Sequence, residues 1–321
     1  MNEPKVNNRA FYLLIFAIST STVVGILFPQ VGLVTEPYLL LWLGLLLLFN
    51  LIKMNLQDLY MVFANPTHLI VLTIFKLIAI PCGLYALMTV IQLIGFFPLT
   101  DEVKLSVFLL SGISTGLGSP FVVNFVGGKL PVVVGLIISS SLVVPFTLPL
   151  FVFLFFKDKF AIPIFDMIFL LMVALITPLL LSQLIKKYTV RMANYISNNS
   201  QIYSLIFIFL INLSIFATYS GYFFSNPVLT FENIMLTFGL FGFFALAGFG
   251  IGKVLGFRQD GIMASIISMT YINNILIVVF AHHFFGAEIA ALAAFFNIPY
   301  YVGILILKKI IPSKSNFHKV M

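Results

Sequence analysis

Small and polar residues interrupt an apolar stretch of this chain at positions 111–128, SGISTGLGSPFVVNFVGG. Its glycines lower helix propensity, and Pro120 lacks a backbone donor and clashes with the preceding turn. In lipid, interrupted backbone is tolerated only where it is buried in protein or lines a watery cavity. The stretch therefore predicts a broken helix that offers loose carbonyls, and the hydroxyls of Ser114, Thr115 and Ser119, to an ion or small solute. A proline-kinked helix packed through small residues is the alternative.

A second polar interruption lies at positions 268–274, SMTYINN. Asn273 and Asn274 are adjacent, and amides inside an apolar run are costly unless they find partners. Isolated asparagines in membrane helices usually join helices, which is the alternative here. A pair whose position matches the first interruption favours a binding site, to which Thr270 would add a hydroxyl.

Lys76 lies inside a third apolar segment. A lysine near the middle of a membrane costs about 2.5–3.5 kcal/mol on insertion scales and usually faces a cavity. Its ammonium would take the place of a bound cation or attract an anionic substrate. Burial also favours neutral lysine, which would let the side chain carry a coupled proton. In the alternative interpretation, the side chain snorkels or satisfies helix carbonyls.

The composition places these residues in a bilayer. Of 321 residues, 61% are hydrophobic and 8% are charged, whereas soluble domains average about 25% charged residues. The net charge of +7 lies in loops and tails, which indicates membrane orientation rather than nucleic-acid binding. One cysteine, Cys82, excludes an intramolecular disulfide. With no phosphate loop, zinc spacing or nucleophile triad, and with short loops, the sequence does not predict an enzyme or a metal site.

About ten membrane-spanning helices are predicted to hold these residues, since each span needs roughly 20 apolar residues. The chain would be an all-α polytopic membrane protein. The predicted spans are 10–28, 38–55, 68–95, 104–126, 131–156, 163–185, 201–223, 228–255, 260–284 and 287–310.

Positive charge predicts the orientation of these spans. With the N-terminus inside, the inner segments hold 13 of the 17 lysines and arginines, and the outer loops hold 3, including Lys104. So strong a bias predicts an even number of spans in the cell membrane, with both termini cytoplasmic.

The predicted spans also divide into two similar halves, at about 10–156 and 163–310, within one transporter unit covering 1–321. Five spans per half is an odd number, so the second half would be inverted relative to the first. Inverted repeats are typical of transporters, which bind their substrates at the repeat interface. Each half has its polar interruption in the fourth span.

At these residues the sequence resembles the bile acid:sodium symporter family, within the wider bile acid, arsenite and riboflavin transporter group. The resemblance is carried by NLIKMNLQDLYMVFANP at 50–66, KLIAIP at 76–81, Gly-Ser-Pro at 118–120 and Asn-Asn at 273–274. It implies ten helices in a panel domain and a core domain, with broken helices 4 and 9 crossing in the core. The implied activity is sodium-coupled uptake of organic anions such as bile acids or small carboxylates.

Several positions depart from what the resemblance implies for sodium binding. The family uses an asparagine where this chain has Pro120, and hydroxyls where it has Val133 and Ile137. The family's two glutamines correspond to Lys76 and Asn273. Its glutamate corresponds to Met269, or to Thr270 after a one-residue shift. Sodium needs several oxygen ligands and usually a negative charge. Here the anion is missing and a cation is present. The departures therefore argue against sodium, the one cofactor that the resemblance implies.

The sequence thus predicts a secondary transporter that moves a small organic anion by alternating access, with the lipid bilayer as its other partner. A passive channel or a non-transporting membrane receptor on the same scaffold is the alternative. The sequence leaves open the substrate, the coupling ion and the oligomeric state. The predicted substrate- or ion-binding residues are Lys76, Ser114, Thr115, Ser119, Thr270, Asn273 and Asn274.

Overall fold

The computed structural model of the chain describes residues 8–53, 66–95, 99–116, 118–225 and 227–310. These ranges are helical almost throughout, apart from short connections and one isolated β-bridge. Within them the helices are α1 (Asn8–Leu27), α2 (Pro29–Leu33), α3 (Leu39–Lys53), α4 (Pro66–Leu93), α5 (Asp101–Ser111), α6 (Ser119–Val126), α7 (Leu130–Phe156), α8 (Ile164–Tyr188), α9 (Val190–Thr218), α10 (Ser220–Ser225), α11 (Pro227–Val254), α12 (Gln259–Thr270), α13 (Asn274–Phe285), α14 (Ala287–Phe295) and α15 (Asn297–Ile310).

Six helical stretches of the described part are long and apolar enough to cross a membrane, and a seventh is added if the bent helix α9 is one span. The predicted fourth and ninth spans are each divided into two shorter helices, α5 with α6 and α12 with α13, so neither counts as a continuous span. The chain is therefore an all-helical, multi-pass membrane protein.

The outer surface of the helices is apolar, as a lipid-facing surface must be. Large side chains such as Phe165, Phe169, Phe231 and Leu246 are more than 60% exposed. A soluble monomer rarely exposes contiguous apolar surface on this scale. These side chains therefore indicate the faces that contact lipid tails.

The helices pack in two groups. In the first group, α9 contacts α1, α3 and α8, and α3 contacts α8. Helices α4 to α7 and α11 to α14 form a second, larger set of contacts. The contact of α7 with α8 joins the two groups. Both helix breaks lie in the second group.

The start of α5 corrects the predicted place of Lys104. This residue was expected in an outer loop, but α5 begins at Asp101 because the Thr100 side chain caps its first turn, accepting the Val103 N–H at 3.3 Å. Lys104 is therefore helical and buried, and its ammonium donates to the side-chain oxygen of Gln92.

Candidate functional site: the crossing of two helix breaks

The first break separates α5 from α6. The N–H of Gly112 still donates to the Phe108 carbonyl at 2.9 Å, after which the chain leaves the helix until Ser119. Pro120 occupies the first turn of α6, where its missing N–H costs nothing. The structure thus shows a broken helix here rather than a kinked one.

The second break separates α12 from α13. Helix α12 ends at Thr270, where the N–H of Tyr271 closes its last turn on the Ile267 carbonyl at 2.9 Å. Helix α13 begins at Asn274. Because a helix end leaves its last carbonyls without partners in the helix, this break exposes main-chain oxygens inside the protein.

The two breaks lie directly against each other. An antiparallel β-bridge joins Thr115 to Ile272. Across it, the N–H of Gly116 donates to the Tyr271 carbonyl at 2.8 Å. Backbone N–H and C=O groups that have no partner in their own helix therefore find one in the other break. We call this contact the crossing.

The backbones approach so closely at the crossing that only glycine fits at position 116. A Cβ added to Gly116 would lie 2.4 Å from the carbonyl oxygen of Ile272, and that oxygen belongs to rigid backbone. On the other side of the bridge, the N–H of Asn273 donates to the Ser114 carbonyl at 2.9 Å.

Ser119 holds the two breaks together at the start of α6. Its buried hydroxyl lies 2.7 Å from the Gly116 carbonyl oxygen and 2.8 Å from that of Tyr271. The hydroxyl can donate to either oxygen. Ser119 therefore stabilises the crossing itself.

Thr115 connects the first break to two further helices. Its N–H donates to the hydroxyl of Ser140 on α7 at 3.1 Å. Its own hydroxyl donates to the Ser268 carbonyl on α12 at 2.9 Å. Ser140 was not predicted from the sequence, and Ser268 was predicted as the first residue of the second interruption but not as a binding residue.

Lys76 lies in a π-helical turn of α4, Phe75–Ala79, in which the N–H of Ile80 reaches back five residues to the Phe75 carbonyl. Pro81 follows immediately, and its ring crowds the carbonyl one turn earlier. Such single π turns are frequent at functional sites because they re-aim a side chain without ending the helix.

The side chain of Lys76 reaches the end of α12. Its ammonium nitrogen lies 3.1 Å from the Ser268 carbonyl oxygen and 3.5 Å from that of Met269, and the residue is 1% exposed. The negative end of the helix dipole favours a cation at this point. Lys76 forms no ion pair with a described residue.

Asn274 takes part in a different contact. Its amide donates to the side-chain oxygen of Asn297 at 2.6 Å, and the Asn297 amide donates to the Ala294 carbonyl at 3.1 Å. Asn297 lies where α14 gives way to α15, and the sequence analysis did not identify it. An asparagine two residues before Pro299 in an apolar run was the available indication.

Three buried hydroxyls at the breaks have no hydrogen-bond partner among the described residues, and one of them is that of Tyr271. The other two belong to Ser114 on the first break and Ser268 at the end of α12, and both residues are 0% exposed. A buried polar group without a partner costs about 1–3 kcal/mol. A ligand that accepts or donates a hydrogen bond at either hydroxyl would recover that cost.

The structure thus places most of the predicted residues at the crossing and sets two apart. Thr270 bonds back to its own helix, with its hydroxyl 2.6 Å from the Ile266 carbonyl, and Asn274 faces α15 through Asn297. The whole set is buried, so the crossing is closed in this conformation. The residues at the crossing are Lys76, Ser114, Thr115, Ser119 and Asn273.

These residues do not fit a sodium site. Carbonyl oxygens of the kind that hold sodium are present, but the ammonium of Lys76 already lies beside those of Ser268 and Met269. No described residue supplies Lys76 with a compensating carboxylate.

One comparison with known proteins found a match. The family model described as the Sodium Bile acid symporter family matches residues 40–226, more than half of the chain. The matched part includes Lys76 and the first break but stops before Asn273. No curated protein matches the chain. On the extent of the family match, the chain belongs to the sodium bile acid symporter family.

Proposed function

We propose that this protein is a sodium-independent secondary transporter that moves a small organic anion, bile acid-like or a small carboxylate, by alternating access. The observation that carries the proposal is the buried ammonium of Lys76 on the loose carbonyls of α12. In a family of transporters, it puts a fixed positive charge at the point where two broken helices meet.

The proposed architecture is ten spans in two inverted repeats. The first repeat would comprise α1, α3, α4, the α5–α6 pair and α7. The second would comprise α8, α9, α11, the α12–α13 pair and the α14–α15 pair. The occurrence of a break in the fourth span of each repeat supports this division. The group of α1, α3, α8 and α9 would be the panel, the remaining spans the core, and both termini would be cytoplasmic.

Electrostatics favours transport without sodium. Two unit charges about 4 Å apart repel by roughly 4 kcal/mol at an effective dielectric of about 20. A sodium ion beside protonated Lys76, with no carboxylate nearby, would therefore bind about a thousandfold more weakly, since each 1.4 kcal/mol is a factor of ten. Lys76 would supply the charge that sodium supplies elsewhere in the family, and a proton exchanged at its amine is the candidate coupling ion.

The anion would be bound by hydrogen-bond donors around this charge. The hydroxyls of Ser114 and Ser268 lack partners in the part of the chain that the structure describes, and Asn273 adds an amide on the second break. A carboxylate accepts hydrogen bonds from hydroxyls and from amides, and it is attracted by an ammonium. In alternating access, these donors would become accessible to water first from one side and then from the other.

Uptake into proteoliposomes tests the proposal. Labelled cholate and labelled pyruvate represent the two substrate classes, and uptake is measured with sodium, with choline in its place, and with an imposed proton gradient. We expect saturable uptake of at least one probe, with sodium and choline rates agreeing within about twofold. Lys76→Gln should reduce the rate at least tenfold.

Lys186→Gln is the matched control, because Lys186 also donates to a main-chain carbonyl, that of Leu51 at 2.9 Å, but lies far along the chain from either break. This variant should transport normally. Strict sodium dependence would contradict the proposed role of Lys76 but not transport itself. Non-saturable flux would favour the channel alternative, and binding without flux would favour the receptor.

A further inference from the structure

A cavity of about 1040 Å³ lies at one end of the molecule, where α4, α7 and α12 begin. None of the residues that form the crossing lines it. Its polar lining includes His68, Lys129, Arg258 and Asp260. The size is sufficient for a ligand larger than a single ion.

Positive charge exceeds negative charge among the lining residues. The side chains of Lys129 and Arg258 are exposed, and neither forms an ion pair with a described residue. The lining carboxylate, Asp260, already accepts the N–H of Gly261 at 2.9 Å. Two cations therefore face one partly engaged carboxylate, and the cavity attracts anions.

The backbone adds to this attraction. Lys129 and Arg258 immediately precede α7 and α12, and neither helix has a hydrogen bond from its N-cap side chain. The first N–H groups of a helix have no acceptors within it, and the dipole makes this end positive. The N–H of Lys129 donates to the Asp260 carbonyl at 2.9 Å, which holds the two helix starts together.

One wall of the cavity is apolar. Leu69, Leu72 and Val132 contribute to it, and the His68 ring packs edge-on against Phe257 with centroids 5.0 Å apart. Helices α4 and α7 are span-length, 28 and 27 residues, so the end at which both begin lies among lipid headgroups. A cationic rim above an apolar wall matches a ligand with an anionic head and an apolar tail.

We propose that this cavity binds the phosphate group of an anionic phospholipid, with Arg258 and Lys129 as the charged ligands. Arginine pairs with phosphate through two parallel N–H donors, and lysine adds a point charge. Basic pockets between membrane helices recognise such headgroups. The bound headgroup would link α4, α7 and α12, the helices that carry Lys76, Ser140 and Ser268. Inorganic phosphate offers the same chemistry without the tail.

The test uses the full chain purified in detergent. Bound lipid is counted by native mass spectrometry, and the unfolding midpoint is followed during titration with phosphatidylglycerol, phosphatidylcholine or inorganic phosphate. Phosphatidylglycerol should remain bound and raise the midpoint by several degrees, and phosphatidylcholine should do neither. Lys129→Gln with Arg258→Gln should weaken the apparent affinity for phosphatidylglycerol roughly thirtyfold, from about 1 kcal/mol per cation.

Lys253→Gln is the control, because Lys253 is an exposed cation in the last turn of α11 that does not line the cavity. Its affinity should stay within twofold of the unmodified protein. A midpoint shift with inorganic phosphate also supports the phosphate site and identifies free phosphate as sufficient, whereas a shift with lipid alone identifies the headgroup. Equal responses to both lipids would overturn the proposal. An unchanged affinity for phosphatidylglycerol in the double variant would also overturn it. If the double variant does not fold, the same measurement on Arg258→Gln decides.

Discussion

The ammonium nitrogen of Lys76 lies 3.1 Å from the main-chain oxygen of Ser268, although 192 positions separate the two residues in the sequence. This hydrogen bond joins the π turn of α4 to the broken end of α12. An amine supplied in this way is covalently fixed and cannot dissociate with the substrate. The site would therefore change its charge only by exchanging the proton of Lys76, whereas a sodium-coupled site must load and release a whole ion.

A fixed cation predicts that sodium does not stabilise the purified protein. A ligand at 100 times its dissociation constant stabilises the folded state by about 2.7 kcal/mol, and charge repulsion at Lys76 prevents such occupancy. The unfolding midpoint in sodium chloride should therefore equal that in choline chloride at the same ionic strength, within about 1 °C. A midpoint several degrees higher in sodium would show that main-chain oxygens hold the ion despite Lys76.

Gly116→Ala should destabilise the crossing. The new Cβ would meet the Ile272 carbonyl oxygen at 2.4 Å, so one backbone must move. Overpacking of this kind costs about 1–3 kcal/mol, and the unfolding midpoint should fall by several degrees. Gly83→Ala is the control, since a Cβ at this helical position has open space within 4 Å, and alanine should leave the midpoint unchanged or raise it. Equal effects of both changes would contradict the close approach.

Thr115→Val should weaken both stability and uptake. Valine has nearly the same shape but cannot donate to the Ser268 carbonyl, which loses a partner at 2.9 Å. The loss of one hydrogen bond typically costs about 1 kcal/mol of unfolding free energy. Thr115→Ser keeps the hydroxyl and should restore most of the uptake rate. If Thr115→Ser does not restore the uptake rate, the loss of uptake comes from the packing of the threonine methyl group and not from the hydrogen bond.

The side chains of Asn274 and Asn297 should be energetically coupled. Their amides are joined by a 2.6 Å hydrogen bond that ties α13 to the start of α15. A double-mutant cycle with alanine should give an interaction energy of about 0.5–3 kcal/mol in the unfolding free energy. Asn50 is the control partner, because its amide bonds locally to the Leu46 carbonyl, and its effect should add to that of Asn274→Ala. If the effects of the two alanine changes add in both pairs, the side chains of Asn274 and Asn297 are not coupled.

Both chain termini should lie in the cytoplasm. The prediction comes from the excess of lysine and arginine in alternate connections, which sets membrane orientation. Fusions of a reporter that works only in the cytoplasm should be active at the N-terminus and at the C-terminus. Activity of exactly one fusion would make the number of spans odd and exclude the inverted repeat.

Local patterns in the sequence were enough to predict the class of the protein and the places where its helices break. Hydropathy and charge indicated a multi-pass helical membrane protein, and the glycines before Pro120 together with the Asn273–Asn274 pair located both interruptions. These inferences succeed because helix propensity and the cost of burying polar groups are local properties. The resemblance to the family was likewise detected from short local motifs.

The partners of the polar residues, by contrast, depend on how the helices pack in three dimensions. A lysine in an apolar segment has several ways to satisfy its ammonium, and only the packing of α4 against the broken end of α12 selects the Ser268 carbonyl for Lys76. Likewise, Asn274 was expected at the site, but the fold places Asn297 within hydrogen-bond distance and turns its amide away from the crossing. Hydrogen bonds between residues far apart in the chain depend on how whole helices pack, because a local pattern fixes which groups need partners and not which partners they meet.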